Sequence, residues 1–282
     1  MIVIVTGSSG QLGYDIMNEL KRTNFDVYAP SSDELDMTNQ DKVSSYVKRI
    51  NPDVIIHAAA YTNVEEAETD RETAYNVNVN GTRNIAAAAE TVNARLCYIS
   101  TDFVFDGTAA QPYEEFDIPN PINEYGKTKW MGEELIRGLC TKWFIVRTSW
   151  IFGENGKNFV STMLKLAETR DTLQVVDDEI GSPTYTPDLA AFLTALIQTE
   201  KYGIYHASNT GKCSRHALAE AIFEEACIDI KVEPIISSQF ASKVTRPKYS
   251  VLGNNALIYN GFQPLREWRE ALKAYLNHIQ KT

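Results

Sequence analysis

Short β-branched runs alternate with longer amphipathic stretches through the first half of the chain. Ile2–Val5, Val27–Ala29, Val54–His57, Leu96–Ser100 and Phe144–Thr148 predict strands. The first four are near-continuous apolar runs, as strands covered on both faces require. Between them, Leu12–Lys21, Asp41–Ile50 and Ala74–Thr91 read as helices. Asn51-Pro52-Asp53 and Asn155-Gly156 read as turns. Strand–helix alternation of this kind predicts an α/β fold with a doubly wound, Rossmann-like parallel sheet. After Trp150 the pattern loosens. Phe159–Thr169, Pro187–Gln198, Ser214–Ala226 and Trp268–Ile279 predict helices, and Leu173–Val176, Ile204–Ala207 and Lys231–Pro234 predict short strands. The second half is expected to form a smaller C-terminal lobe.

Charge narrows the partners. The net charge of -10 gives an acidic surface that repels phosphate backbones, so no nucleic-acid partner is expected. The chain opens with a strand-like run, Met1-Ile-Val-Ile-Val-Thr-Gly7, with no basic segment before it. That run is too short for a signal peptide or a membrane span, so a cytoplasmic location is expected. Cys97, Cys140, Cys213 and Cys227 are scattered without a C-x-x-C pair and read as free thiols in a reducing compartment.

Candidate chemistry starts at the first strand's end. Thr6-Gly7-Ser-Ser-Gly10-Gln11-Leu12-Gly13 follows a strand and opens a helix. Glycines there allow a tight turn and close backbone approach, and the helix N-terminus then presents free N–H groups to a pyrophosphate. Residues 1–150 therefore read as a dinucleotide-binding domain. Residues 151–282 read mainly as a substrate-binding lobe that contributes in part to the Rossmann core. An acidic residue ending the second strand would hold a ribose 2′-hydroxyl and disfavour a 2′-phosphate. The sequence there is Val27-Tyr-Ala-Pro-Ser31-Ser32, with no Lys or Arg between Arg22 and Lys42. NADP is therefore allowed, and with no cation to grip its phosphate the preference is expected to be soft, with NAD also accepted.

Tyr125 and Lys129 stand at i and i+4 on one helical face, the only Y-x-x-x-K in the chain. A free phenol titrates near pH 10. A neighbouring ammonium is expected to lower that value, letting the pair exchange a proton with a carbonyl. Ser100-Thr101-Asp102 ends the fourth strand, where a hydroxyl faces the ligand crevice and could bond the same carbonyl oxygen.

Together these motifs resemble the extended short-chain dehydrogenase/reductases, and within them the dTDP-4-dehydrorhamnose reductase family. Further matching stretches are His57-Ala-Ala-Ala-Tyr-Thr62, Ser100-Thr-Asp-Phe-Val-Phe105, Arg147-Thr-Ser-Trp150, Asn158-Phe159, Gly181-Ser-Pro-Thr184 and Arg246-Pro-Lys-Tyr-Ser250. The resemblance implies an NAD(P)H-dependent oxidoreductase. Its reaction would reduce the C4 keto group of dTDP-4-dehydro-6-deoxy-L-mannose to give dTDP-L-rhamnose, a step of carbohydrate biosynthesis. Thr101, Tyr125 and Lys129 would be catalytic. Gly7, Gly10, Gln11, Leu12 and Gly13 would hold the pyrophosphate. Asp36 and Met37 would sit near the adenine, and Ala60, Tyr61 and Thr62 would line the path to the nicotinamide, where Tyr125 and Lys129 also contact the cofactor. Thr101, Asp102 and Trp150 would bind the nucleotide sugar. Some members dimerise through a magnesium held by glutamates. Pro187 stands at one of those positions and Asp15 matches another, so no metal is expected, and monomer and homodimer both stay open. Two alternatives remain. A 4,6-dehydratase of the same fold would carry Thr-Asp-Glu where this chain has Thr101-Asp102-Phe103. A non-catalytic, NADP-binding regulatory subunit would keep much of the cofactor site.

Overall fold

Six parallel strands form the central sheet: β1 (Ile2–Thr6), β2 (Asp26–Tyr28), β3 (Val54–His57), β4 (Arg95–Thr101), β5 (Trp143–Thr148) and β6 (Gly203–His206). The computed structural model describes residues 1–239, 242 and 244–280. The strand order is β6-β5-β4-β3-β1-β2. The chain steps outward from β1 to β2, then returns to the other side of β1 for β3. That reversal opens a crevice between the carboxyl ends of β1 and β3, where open α/β sheets bind their ligands.

Pleating sorts the strand residues between two cores. Val3 and Val5 face α1 (Gln11–Leu20) and α6 (Thr186–Leu196), packing with Leu12, Ile16, Leu189 and Leu193. Ile4, Ile55, Leu96 and Ile145 face the opposite layer of α2 (Gln40–Ile50), α3 (Thr82–Thr91) and α4 (Glu124–Leu139), packing with Val43, Ile85 and Ile136. A third core lies outside the sheet. In it α5 (Phe159–Ala167), α7 (Arg215–Ala226) and α8 (Trp268–Ile279) pack around the parallel pair Thr172–Val176 and Lys231–Ile235. Strand β6 and helix α6 belong to the second half of the chain yet complete the sheet layer.

The predicted helix Ala74–Thr91 is not one uninterrupted α-helix. A turn of helix, Arg71–Tyr75, passes into a π-helical turn, Asn76–Gly81, before α3 begins. The cause is tertiary. Asn78 turns inward, accepting from the Tyr61 amide (2.8 Å) and donating to the Tyr61 carbonyl (3.1 Å) and the Thr128 hydroxyl (3.0 Å). A π turn at such a place is a usual companion of a functional site. All four cysteines are free, and Cys227 alone is exposed. Among the described residues no helix is long and apolar enough to cross a membrane.

Candidate active site

The glycine loop is built for backbone approach. Gly7 has φ +72°, and a Cβ there would meet the Ala59 amide nitrogen at 2.6 Å. A Cβ on Gly13 would collide with the Gly7 carbonyl. Any larger residue at either position would push the loop away from β3 or from α1. Gly10 caps α1 without a side-chain bond, so the first-turn N–H groups face the crevice unpaired by a cap. Asn155, from the second half of the chain, donates to the Ser9 carbonyl at 2.9 Å and holds the loop from outside.

A cleft of about 560 Å³ runs from this loop across the ends of β3, β4 and β5. Thr101, Asp102, Tyr125, Lys129 and Trp150 line it together with the glycines. Helix α4 delivers the tyrosine and lysine because Asn123 caps it, accepting from the Gly126 amide at 2.8 Å. Gly126 is needed there: a Cβ would strike the Phe103 carbonyl. Phe103 meets the Tyr125 ring edge-on, with centroids 5.8 Å apart. The cleft wall also holds the Thr148 hydroxyl, which is buried without a partner in the protein. A polar ligand would satisfy it.

Electrostatics differ from the sequence expectation. Burial pushes the Tyr125 phenol up to about 12, and the Asp102 carboxylate adds to the rise. The hydrogen bond with Thr101 only partly opposes them. The lowering expected from Lys129 is absent because its ammonium is directed elsewhere, over the ring of Tyr98 at 4.0 Å. A phenol held neutral is the right form for a proton donor. Burial also pulls Lys129 down to about 7, against Glu133. It lifts Asp102 to about 6, against Ser250, Thr101 and Arg215.

Beneath the cleft lies a fully buried ion pair. Arg147 grips Glu133 with two parallel bonds, Nη2 to Oε2 at 2.7 Å and Nε to Oε1 at 3.0 Å. Ser100 donates to the same carboxylate. The other arm of Arg147 meets His206 Nε2 at 3.3 Å, and His206 Nδ1 meets the Tyr113 carbonyl at 3.0 Å. Burial holds His206 well below its ordinary value, so it is a neutral ring between a donor and an acceptor. Strand β4, helix α4 and strand β6 are thereby tied under the reacting groups.

A second cavity, about 870 Å³, opens in the smaller lobe between α5 and the Thr172–Val176 strand. Its walls are apolar at Phe159, Met163, Leu173 and Val175, with Arg170, Arg215 and Arg246 among the polar groups. Arg215 lines both cavities. Its guanidinium stacks 3.5 Å above the Trp150 ring. Burial lowers it to about 10, opposed by Glu179 and Asp102. Trp150 itself has φ +47°, a strained setting for a bulky side chain. Its ring lies against Gly181, where a Cβ would overlap it.

The sequence profile of the family described as RmlD substrate binding domain matches residues 1–281. The chain belongs to this family. The Bacillus subtilis spore coat polysaccharide biosynthesis protein SpsK is 42% identical to it, over 97% of this chain and 96% of that protein. A dTDP-4-dehydrorhamnose reductase of Aggregatibacter actinomycetemcomitans is 41% identical over 96% of this chain and 97% of its own. A crystal structure of a dTDP-4-dehydrorhamnose reductase from Bacillus anthracis, in complex with NADP, superposes with a TM-score of 0.96 at 45% identity. The match covers 98% of this chain and 99% of that one.

For this member of the RmlD family, the cleft brings together Gly7, Gly10, Gln11, Leu12, Gly13, Ala60, Thr62, Thr101, Asp102, Tyr125, Lys129 and Trp150. Asp36, Met37 and Tyr61 do not line it. Asp36 takes both the amide and the hydroxyl of Thr38, at 3.0 and 2.7 Å. The Met37 side chain lies at Gly81. Tyr61 is fixed through its backbone by Asn78. Three residues were missed by sequence reasoning. Asn78 and Arg215 carry no motif. Glu133 had a signal: it is i+4 from Lys129, on the same face of one helix.

Proposed function

We propose that the chain reduces the C4 keto group of dTDP-4-dehydro-6-deoxy-L-mannose to dTDP-L-rhamnose, with NADPH as reductant. The observation that supports this best is the meeting of Thr101, Tyr125 and Lys129 beside the glycine loop, in a cleft joined through Arg215 to a second cavity. The tight turn that Gly7 and Gly13 permit keeps the loop against β3 and α1, and the uncapped first turn of α1 beside it suits the pyrophosphate of a dinucleotide. Bound NADPH supplies the hydride to C4. Thr101 orients the carbonyl, and Tyr125 passes its phenolic proton to the oxygen as negative charge develops there. Lys129, seated over the Tyr98 ring at the cleft wall, holds its positive charge for the nicotinamide ribose. Asp102 and Trp150 take the sugar. Arg215 and the second cavity take the nucleoside diphosphate, which needs a cation and an apolar wall. In this reading residues 1–150 bind the dinucleotide, and residues 151–282 mainly bind substrate. Asp36 and Met37 serve the adenine end. The enzyme works in the cytoplasm, where reduced nicotinamide cofactor is held.

Phe103 argues against dehydration. It stands where a dehydratase carries an acid, and a phenyl ring cannot move a proton. The test is an assay with purified protein, NADPH and the keto sugar made enzymatically from dTDP-glucose. NADPH oxidation with formation of dTDP-rhamnose supports the reading. Tight NADPH binding without turnover would favour a regulatory subunit.

Cofactor choice is expected to be soft. Ser31 and Ser32 are exposed beyond β2, and the Glu34 carboxylate accepts from the Ser31 amide at 2.8 Å. A carboxylate there repels a 2′-phosphate, while no cation stands in the turn to attract one. The related Bacillus anthracis structure holds NADP, so NADPH is expected to lead NADH in kcat/KM, and the turn's charge is expected to keep that lead below about tenfold, under about 1.4 kcal/mol. Glu34→Gln is expected to widen the margin. Strict dependence on NADH would contradict this account of the turn.

Trp150→Ala is expected to raise KM for the nucleotide sugar about tenfold, the loss of roughly one aromatic contact. The affinity for NADPH, measured by fluorescence titration, is expected to stay within about twofold. A large fall in melting temperature together with lost NADPH binding would make Trp150 a core residue instead.

A further inference from the structure

Lys129 is 2% exposed and carries its charge into the interior. Among the described residues no carboxylate lies within ion-pair distance of its ammonium. The nearest acidic side chain on its own helix, Glu133, is already held by Arg147 and Ser100. What faces the ammonium is the π surface of Tyr98, at 4.0 Å from the ring centroid. A cation at that distance over a phenol ring is attracted to it, the more so when water is excluded.

The ring is fixed in place from several sides. Tyr98 is completely buried in β4. Its hydroxyl donates to the Lys129 carbonyl at 3.3 Å, so it touches this residue at both the side chain and the backbone. Gly132, one turn beyond Lys129, clears the space for that hydroxyl, since a Cβ there would come within 2.5 Å of it. His57 lies beside the ring at 5.5 Å, held between Thr6 and Thr82, and burial drops it to about 3, so it brings no rival charge.

We propose that Tyr98 is a positioning residue whose ring seats the Lys129 ammonium and, together with the more distant Glu133 carboxylate, keeps it charged. The proposal rests on the catalytic reading of Lys129 given above. The charged or titratable groups around Lys129 are Glu133 and Tyr125 on its own helix, Tyr98 on β4 and His57 on β3, with Arg147 on β5 behind Glu133 and bonded to it. The charge of Arg147 is spent on Glu133.

The consequence has a definite sign. Burial has already drawn Lys129 down to about 7. Loss of the ring removes an attraction for the charged form only, so the proton leaves at lower pH. The alkaline limb of the activity profile then moves toward acid. Tyr98→Phe keeps the ring and is expected to keep the limb. Tyr98→Leu and Tyr98→Met are expected to move it down by about one pH unit.

The test is a ¹³C NMR titration of Lys129 Cε in the full chain, assigned by its loss in Lys129→Arg. The wild type and the Phe variant should titrate together, and the Leu and Met variants about one unit lower. Should both apolar variants fail to fold, the wild type alone still answers. Ring current from Tyr98 must then shift the Lys129 ε protons upfield. Unshifted ε protons, a Leu variant titrating like the wild type, or a Phe variant titrating like Leu would overturn the proposal. The titration needs no turnover, so an inactive chain would sink the reductase reading and leave this result to be read separately.

Discussion

Tyr125→Phe is expected to lower turnover of the keto sugar roughly 10²–10⁴-fold, the usual worth of a positioned general acid. The substitution removes one oxygen and leaves the ring that packs edge-on against Phe103. NADPH affinity and the melting temperature should therefore hold. The large effect follows from the chemistry of the cleft. Negative charge arises on the sugar oxygen as hydride arrives, and Tyr125 is the neutral donor that the structure holds ready for it. Thr101 is hydrogen-bonded to the phenol and can polarise the carbonyl, yet an aliphatic hydroxyl is too weak an acid to replace it. Single-turnover rates for the variant and the wild type measure the loss directly. Near wild-type turnover would remove Tyr125 from the mechanism.

The second large effect falls on stability. Arg147→Met is expected to cost about 3–5 kcal/mol, because it strands the Glu133 carboxylate in the core without its counter-ion. Arg147 is 2% exposed and Glu133 1% exposed, so water cannot take over the pairing. The Ser100 hydroxyl would be left as the carboxylate's remaining donor. Urea unfolding of the variant reads the cost. The double variant Arg147→Met with Glu133→Gln should recover part of it, since the stranded charge is then gone. A single-variant loss below about 1 kcal/mol would mean that the pair is not the brace that joins β5 to α4.

Strands β1, β3, β4 and β5 were legible because burial on both faces writes itself as unbroken apolar runs; β2 is an edge strand with Asp26 and Tyr28 exposed, so the cover expected on both its faces is absent. β3 matches its predicted limits at Val54–His57, and the other buried strands agree to within a residue or so. Helix α8 is also read to the residue. Its cap, Glu267, accepts from the amides of Arg269 and Glu270, which fixes the start in the local sequence. The π turn at Asn76–Gly81 was not legible. Its cause is the bonding of Asn78 to Tyr61 and Thr128, partners 17 and 50 residues away. The same holds within the site. Gly7, Thr101, Tyr125 and Lys129 sit in local patterns whose spacing has a physical reason. Arg215 and Tyr98 matter through what they face across space. The lowered phenol pKa was expected from the i, i+4 spacing alone. Spacing places two residues on one face of a helix but does not say where a long side chain points. Lys129 points at Tyr98.

The central claim is hydride delivery to C4 of the sugar. It is tested most directly with NADPH deuterated at both positions of nicotinamide C4. The product is then examined by proton NMR. This account predicts dTDP-L-rhamnose with deuterium at C4: the H4 resonance vanishes, and H3 and H5 lose their coupling to it. A product carrying ordinary hydrogen at C4, with the label retained in the cofactor or placed elsewhere on the sugar, would contradict it.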